Sequence, residues 1–160
     1  MNRKGFTLIE LVMVLVLIGI VAVFVAPKLG DVTGTKTGAF RDKLKADIRY
    51  AQSLAMTRNA RYRVFFNTAP APAPNGYAVT DSAGTVVQDP AGGGSLSVVL
   101  NAGDYGNITF AVVPLYPFIE FDSLGRPYDN AGSLLAVAVT LTLSSGGGTV
   151  TILPQTGAVN

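Results

Sequence analysis

The sequence predicts an α+β protein: a long N-terminal helix, membrane-spanning in its first half, packed against a C-terminal antiparallel β-rich head. Three observations predict it. Residues 6–26 form one apolar run, broken only near its start by Thr7 and Glu10. From Ala39 a second stretch places Phe40, Leu44, Ile48, Ala51, Leu54 and Ala55 at the i, i+4, i+8, i+11 spacing of a one-sided helix. The rest of the 160-residue chain is cut by Gly, Pro, Asn and Asp into short aromatic and β-branched segments.

The apolar run comes first. Phe6 to Ala26 is 21 residues, and at about 1.5 Å per residue it extends roughly 31 Å, one hydrocarbon thickness. From Leu11 to Ala26 no side chain is charged or hydrogen-bonding. A secretory signal peptide also has a basic start, here Arg3 and Lys4, but its apolar core is about 7–15 residues long and ends in a small-residue cleavage site. No Ala-x-Ala follows this core, and Pro27 stands directly after Ala26. A plain anchor accounts for length and composition but not for Glu10. An acid at the head of a membrane helix is costly and calls for a specific partner.

The second half of the helix is polar. Gly30 to Gly38 reads as a loosening or short hinge, and the amphipathic helix is expected over about 39–59, with Asn59 ending it. The β-rich region is expected over 62–160. Tyr62–Phe66 is the first strand. Gly76–Thr80 and Thr85–Val87 flank an Asp-Ser-Ala-Gly turn. Leu96–Leu100, Ile108–Val112 and Phe118–Phe121 are further strands, and Leu134–Leu143 with Thr149–Leu153 form a terminal hairpin. Thr68–Pro74 is a proline-rich surface loop, and Asp122 to Pro127 a turn.

Composition narrows the function. The chain has no Cys and no His, which removes thiol and imidazole nucleophile activation and their metal sites. Gly92–Gly94 is not followed by Lys-Ser/Thr, so no phosphate loop is present. No enzyme is expected, and no cofactor. Charge is segregated. Lys28 to Arg63 carries nine basic and three acidic residues, whereas 64–160 carries Arg126 against Asp81, Asp89, Asp104, Glu120, Asp122 and Asp129. A basic stalk under an acidic head reads either as a solvated helix face or as electrostatic contact between the stalk of one subunit and the head of another.

Lys4-Gly5-Phe6-Thr7-Leu8-Ile9-Glu10 resembles the processing site of type IV prepilins and type II secretion pseudopilins, and Gly19 and Pro27 fall where such chains weaken the helix. Ala51-Gln-Ser-Leu-Ala55, Arg58–Phe66, Tyr77-Ala-Val and Phe121-Asp-Ser-Leu-Gly-Arg-Pro resemble the GspH/FimT-type minor pilins, closest in look to those of mannose-sensitive haemagglutinin-type pili. The resemblance implies a pilin fold: a leader over 1–5, a transmembrane and assembly helix over 6–27, and a periplasmic head over 28–160. It implies cleavage after Gly5 by a prepilin peptidase, N-methylation of Phe6 by the same enzyme, and residence in the inner membrane until assembly with other pilin or pseudopilin subunits into a pilus or pseudopilus. It implies that Glu10 pairs with a neighbour's freed amine, and that Gly19–Pro27 melts on assembly. A minor pilin or pseudopilin is expected. The alternatives are a major pilin, or a minor pilin whose head binds DNA or a surface ligand.

Two side-chain clusters test those alternatives. Arg58, Arg61 and Arg63 surround Tyr62, a pattern that can contact a nucleic-acid backbone. The arginine-bearing C-terminal motif of DNA-binding FimT-like pilins is absent from Gln155-Thr-Gly-Ala-Val-Asn, so nucleic acid is not the expected partner. Asp122 and Asp129, with Glu120 and Asn130, are the candidate Ca²⁺ ligands, but their spacing fits no regular loop and such residues are ordinary turn formers.

Overall fold

A computed structural model describes residues 7–29, 32–92, 94–144 and 146–160, with the side chains of all of these except 23–29, 32 and 33. The chain divides into two units, residues 1–33 and 34–160. The first holds helix α1 (Leu8–Leu29). Its described large side chains, Leu8 to Val21, are 45–81% exposed, so α1 is apolar on every described face. Among the described residues no helix is long and apolar enough to cross a membrane. The described side chains of α1 stop at Ala22, short of the ~20 residues a span needs.

Helix α2 (Val32–Arg58) is the backbone of the second unit. Phe40, Leu44, Ile48, Ala51 and Ala55 are fully buried, which is the stripe that the spacing predicts. The helix begins before Ala39, contrary to the expected loosening over Gly30–Gly38, of which Gly30 and Asp31 lie outside the described residues. Gly34 and Gly38 each cost about 1 kcal/mol relative to Ala in a helix. Packing outweighs that cost. Thr37 is fully buried, and Gly147 packs over it so closely that a Cβ there would collide with Thr37 Cγ2. At the other end Asn59 takes φ +49°, and the Ala60 N–H donates to Ala55 O at 3.2 Å. This is the left-handed C-terminal stop expected of Asn.

Among the described residues eight strands follow in two antiparallel sheets. The five-stranded sheet runs β3 (Ser97–Val99), β2 (Gly76–Asp81), β1 (Tyr62–Phe66), β5 (Phe118–Phe121), β6 (Pro127–Tyr128); the three-stranded sheet runs β4 (Phe110–Val113), β7 (Val139–Leu143), β8 (Thr149–Ile152). Val64 sits between Val79 and Ile119 in register. These three join Leu141, Ile152 and the α2 stripe in one core. Thr85–Val87 is not a strand. Gly76–Ala78 of β2 is paired with β3, so only the isolated bridge Thr80–Val86 is left to it. The two-residue β6, at the turn after Asp122, is an element that sequence reading missed.

The C-terminal segment closes the head. Thr151 and Asn160 exchange both backbone hydrogen bonds, at 3.0 and 2.9 Å. Arg49 Nη2 donates to Val159 O at 2.6 Å, and Gln52 Nε2 donates to Gly125 O and Thr156 O at 2.8 and 3.0 Å.

Candidate functional site

Gly5 and Phe6 lie outside the described residues; the structure begins to speak at Thr7. Thr7-Leu8-Ile9-Glu10 forms a capping box at the start of α1. The Thr7 N–H and the Thr7 hydroxyl each donate to Glu10 Oε2 at 2.9 Å, and the Glu10 N–H donates to Thr7 Oγ1 at 3.4 Å. A capping box needs Ser/Thr followed three residues later by Glu/Gln. The spacing of Thr7 and Glu10 in the sequence carries that signal. The carboxylate is exposed and one of its two oxygens takes both bonds, so Oε1 has no hydrogen-bond partner among the described residues. Glu10 is therefore oriented by its own helix start, through one of its two oxygens. Gly19 lies within a continuous helix with no atom within 4 Å of where a Cβ would stand. Pro27 lies in the last turn of α1.

In the head the structure separates the three arginines. Arg61 and Arg63 converge on Glu120 from β5: Arg61 Nη1 bonds Oε1, and Arg63 Nε bonds Oε2 at 2.6 Å. The cross-strand register Arg63–Glu120 makes the pairing. Arg61 also lies 4.8 Å from the Tyr128 ring and Arg63 5.5 Å from the Phe118 ring. Glu120, 6% exposed, holds the Arg61 guanidinium above its ordinary pKa by that hydrogen bond. Arg58 joins neither; it lines a separate cleft with Tyr50 and Tyr62. The arginine cluster is thus two cations sharing one buried acid and one cation elsewhere, which is not a continuous basic stripe.

Nor do the candidate Ca²⁺ ligands assemble. Asp122 Oδ1 accepts from the Leu124 and Arg126 N–H groups, both at 2.9 Å, while Oδ2 pairs with Arg126 at 2.7 Å. Burial raises the Asp122 pKa, but the Arg126 and Leu124 hydrogen bonds outweigh it and leave the group below its ordinary value. Asp129 Oδ1 accepts from the Ala131 and Ser133 N–H groups. Among the described residues no group of three acidic, His or Cys side chains could hold a metal. Both aspartates are turn formers.

The segregated charges meet inside the chain. Lys43 of α2 bridges Asp47 and Asp89 at 3.0 and 3.2 Å, and the buried Tyr77 hydroxyl donates to Asp47 at 2.6 Å. Burial and then the Asp47 charge push the Tyr77 phenol far above its usual pKa. Asp89, Glu120 and Asp122, three of the six head acids, are paired with cations of the same chain. Asp122 pairs with Arg126 of the head itself, so two of the head acids, Asp89 and Glu120, are met by basic residues of the 28–63 stretch within one chain.

Comparison with known proteins follows these two regions. The prokaryotic N-terminal methylation motif matches residues 1–26, and the family of the type II transport protein GspH matches residues 41–157. Over 55 residues the chain is 42% identical to the type IV narrow pilus major component PilA5 of Thermus thermophilus, covering 34% of this chain and 47% of that protein. The chain thus spans about half the length of that curated relative. Among solved structures it is similar to the type IV minor pilin FimU of Pseudomonas aeruginosa, in one crystal form at 16% identity over 75% of this chain and 87% of that one, with a TM-score of 0.47. In a second crystal form the figures are 15%, 75%, 83% and 0.45.

Proposed function

The chain belongs to the GspH family of type IV pilins and pseudopilins, and from that premise we propose that it is a minor subunit of a type IV pilus or secretion pseudopilus. It is a structural subunit and not an enzyme. The observation that carries the reading is the methylation motif over residues 1–26 set directly ahead of a GspH region over residues 41–157. In this reading a prepilin peptidase cuts after Gly5 at the inner membrane and the new amine of Phe6 is methylated. The apolar surface of α1, exposed in the single chain, is then covered first by lipid and later by neighbouring subunits.

Glu10 supplies register. Its capping bonds to Thr7 use one oxygen and survive cleavage, because Thr7 keeps its amide. The other oxygen is left for the methylated amine of an adjacent subunit. Burying either charge alone costs several kcal/mol, so a misregistered neighbour is rejected more strongly than a correct one is attracted. The Gly19–Pro27 stretch is where the helix melts on assembly. The membrane span over 6–27 and the periplasmic head over 28–160 complete the arrangement.

Mass spectrometry of the membrane-extracted protein tests the processing: a mature chain starting at methylated Phe6 is expected, and a chain retaining residues 1–5 in vivo overturns the reading. Glu10→Ala is expected to be processed and inserted normally yet to be reduced at least tenfold in purified filaments; normal incorporation rejects the role of Glu10. A major subunit is the second reading, favoured by the match to a major pilus component. Copy number in purified filaments separates the two.

A further inference from the structure

We infer that the outward side of the first half of α2 is a docking surface for anionic phospholipid headgroups, holding the head against the bilayer that α1 crosses. The inference rests on the proposed membrane span. Basic residues ordinarily crowd on the cytoplasmic flank of a span. Here Arg3 and Lys4 precede the apolar run, whereas Lys28, Lys36, Arg41, Lys43, Lys45 and Arg49 follow it, with only Asp31, Asp42 and Asp47 among them. In the proposed arrangement those cations stand on the far flank, where membrane orientation gives no reason for them.

The head accounts for few of them. Lys43 bridges Asp47 and Asp89. Lys36 is exposed and Lys45 half-buried, and neither has an ion pair among the described residues. Arg41 meets Asp42, its chain neighbour, at 3.3 Å, with both side chains open to solvent; such an exposed pair contributes little. Arg49 donates to Val159 O, a neutral acceptor, and keeps its charge. Arg41, Lys45 and Arg49 recur every four residues, a like-charge spacing that an isolated helix disfavours. Ala39 and Ala46, exposed beside them, are short, so a flat surface can come up to the cations.

Charge and tethering select the occupant. A second copy offers no matching row. Its head acids without an ion pair among the described residues are Asp81, Asp104 and Asp129. They lie at the end of β2, in the short helix over Gly103–Tyr105 and just after β6, and Asp81 and Asp129 each give an oxygen to turn amides. An anionic bilayer instead presents a continuous field that needs no register, and basic segments beside a span are drawn to it. Chain connectivity keeps Lys36, ten residues after Ala26, within about 35 Å of the end of the apolar run. Tethering raises the local concentration, so that a few weak contacts suffice.

The test uses the full chain, reconstituted in vesicles of phosphatidylcholine alone or with about 30% phosphatidylglycerol, an anionic lipid. The chain has no Cys, so Ser82→Cys, on an exposed turn, carries a single fluorophore. Energy transfer to a headgroup-labelled lipid then reports the docked head. Transfer should rise in the anionic vesicles and return to the neutral level in high salt, which screens exposed charges. Lys45→Gln should lower the docked-to-free ratio about fivefold, the worth of one cation at such a surface. Lys36→Gln, Arg41→Gln and Lys45→Gln together should abolish docking, whereas Arg58→Gln, at the other end of α2, should leave it unchanged. Equal transfer in both vesicles overturns the inference. So does a rise that the triple variant keeps, or one that follows protein density rather than lipid charge and marks an acidic protein surface as the occupant. A chain that alkaline wash strips from both vesicles overturns the membrane span itself, and the inference with it.

Discussion

At the scale of single residues, the polar groups of the head divide into satisfied and unsatisfied, and the division predicts stability. Thr80 is fully buried on β2 and its Oγ1 has no hydrogen-bond partner among the described residues. A buried orphan hydroxyl carries its desolvation penalty with nothing to offset it, whereas an apolar group of the same shape does not. Thr80→Val should therefore stabilise the protein by about 1 kcal/mol, read as a raised midpoint in denaturant; a lowered midpoint would show that the hydroxyl has a partner in solution. The Asp89 and Tyr77 groups predict a pH window. Amide hydrogen bonding from Ala91, with Lys43, keeps Asp89 below the ordinary carboxylate pKa, and Asp122 is lowered as well. A depressed carboxylate contributes stability above its unfolded value and loses it as pH falls through the folded one. Tyr77 is raised by burial and by Asp47. For Lys43, burial lowers the pKa but the hydrogen bonds and charges of Asp47 and Asp89 raise it further. Raised groups contribute below their unfolded values and lose that contribution as pH rises. Thermal midpoints should be flat between about pH 5 and 9 and fall on either side. Asp122→Asn should flatten the acid limb, and an unchanged limb in that variant would remove Asp122 from the account.

At the scale of elements, the C-terminal segment and the turn after β5 are packed through glycine. Gly157 has φ +67°, and a Cβ there would lie 2.6 Å from Gly125 O and 2.8 Å from Gln52 Nε2. Gly157→Ala should cost about 1–3 kcal/mol through overpacking, measured by chemical unfolding. A neutral result would mean that the seam between the C-terminal segment, α2 and the Asp122 turn yields easily. The same seam shows what the sequence could and could not disclose. Strands β1, β5, β7 and β8 were legible because each is a run of β-branched or aromatic residues bounded by turn formers. The α2 stripe was legible from its spacing. The start of α2 was not, because Gly34 and Gly38 argue locally against helix, and the burial of Thr37 beneath Gly147 is a contact across more than a hundred residues. The two-residue β6 exists because Pro127 and Tyr128 pair with Phe121 and Glu120 of β5. At the candidate sites, the Thr7–Glu10 box was legible from spacing alone. The convergence of Arg61 and Arg63 on Glu120 was not, because it depends on strand register.

At the scale of the whole chain, the two units differ in how they meet their apolar surface. Every residue of the core cluster, from Phe40 to Val159, belongs to residues 34–160. The described large side chains of α1 are 45–81% exposed. At about 25 cal/mol per Å² of apolar surface removed from water, the first unit has its stabilisation still to gain, from lipid or from other subunits, while the second already holds a closed core. The internal ion pairs point the same way: Lys43 with Asp89 joins α2 to the β-rich region, and Arg61 and Arg63 with Glu120 join the start of β1 to β5, all within one chain. A chain beginning at Lys28 should therefore be monomeric without detergent, with the far-UV spectrum of a mixed helix and sheet and a cooperative thermal transition. Its midpoint should lie within about 5 °C of the head transition in the full chain, a difference of less than ~1 kcal/mol. Loss of cooperativity on removing residues 1–27 would mean that the head draws its order from the apolar helix. The division of labour between an assembling unit and a self-sufficient one would then be wrong.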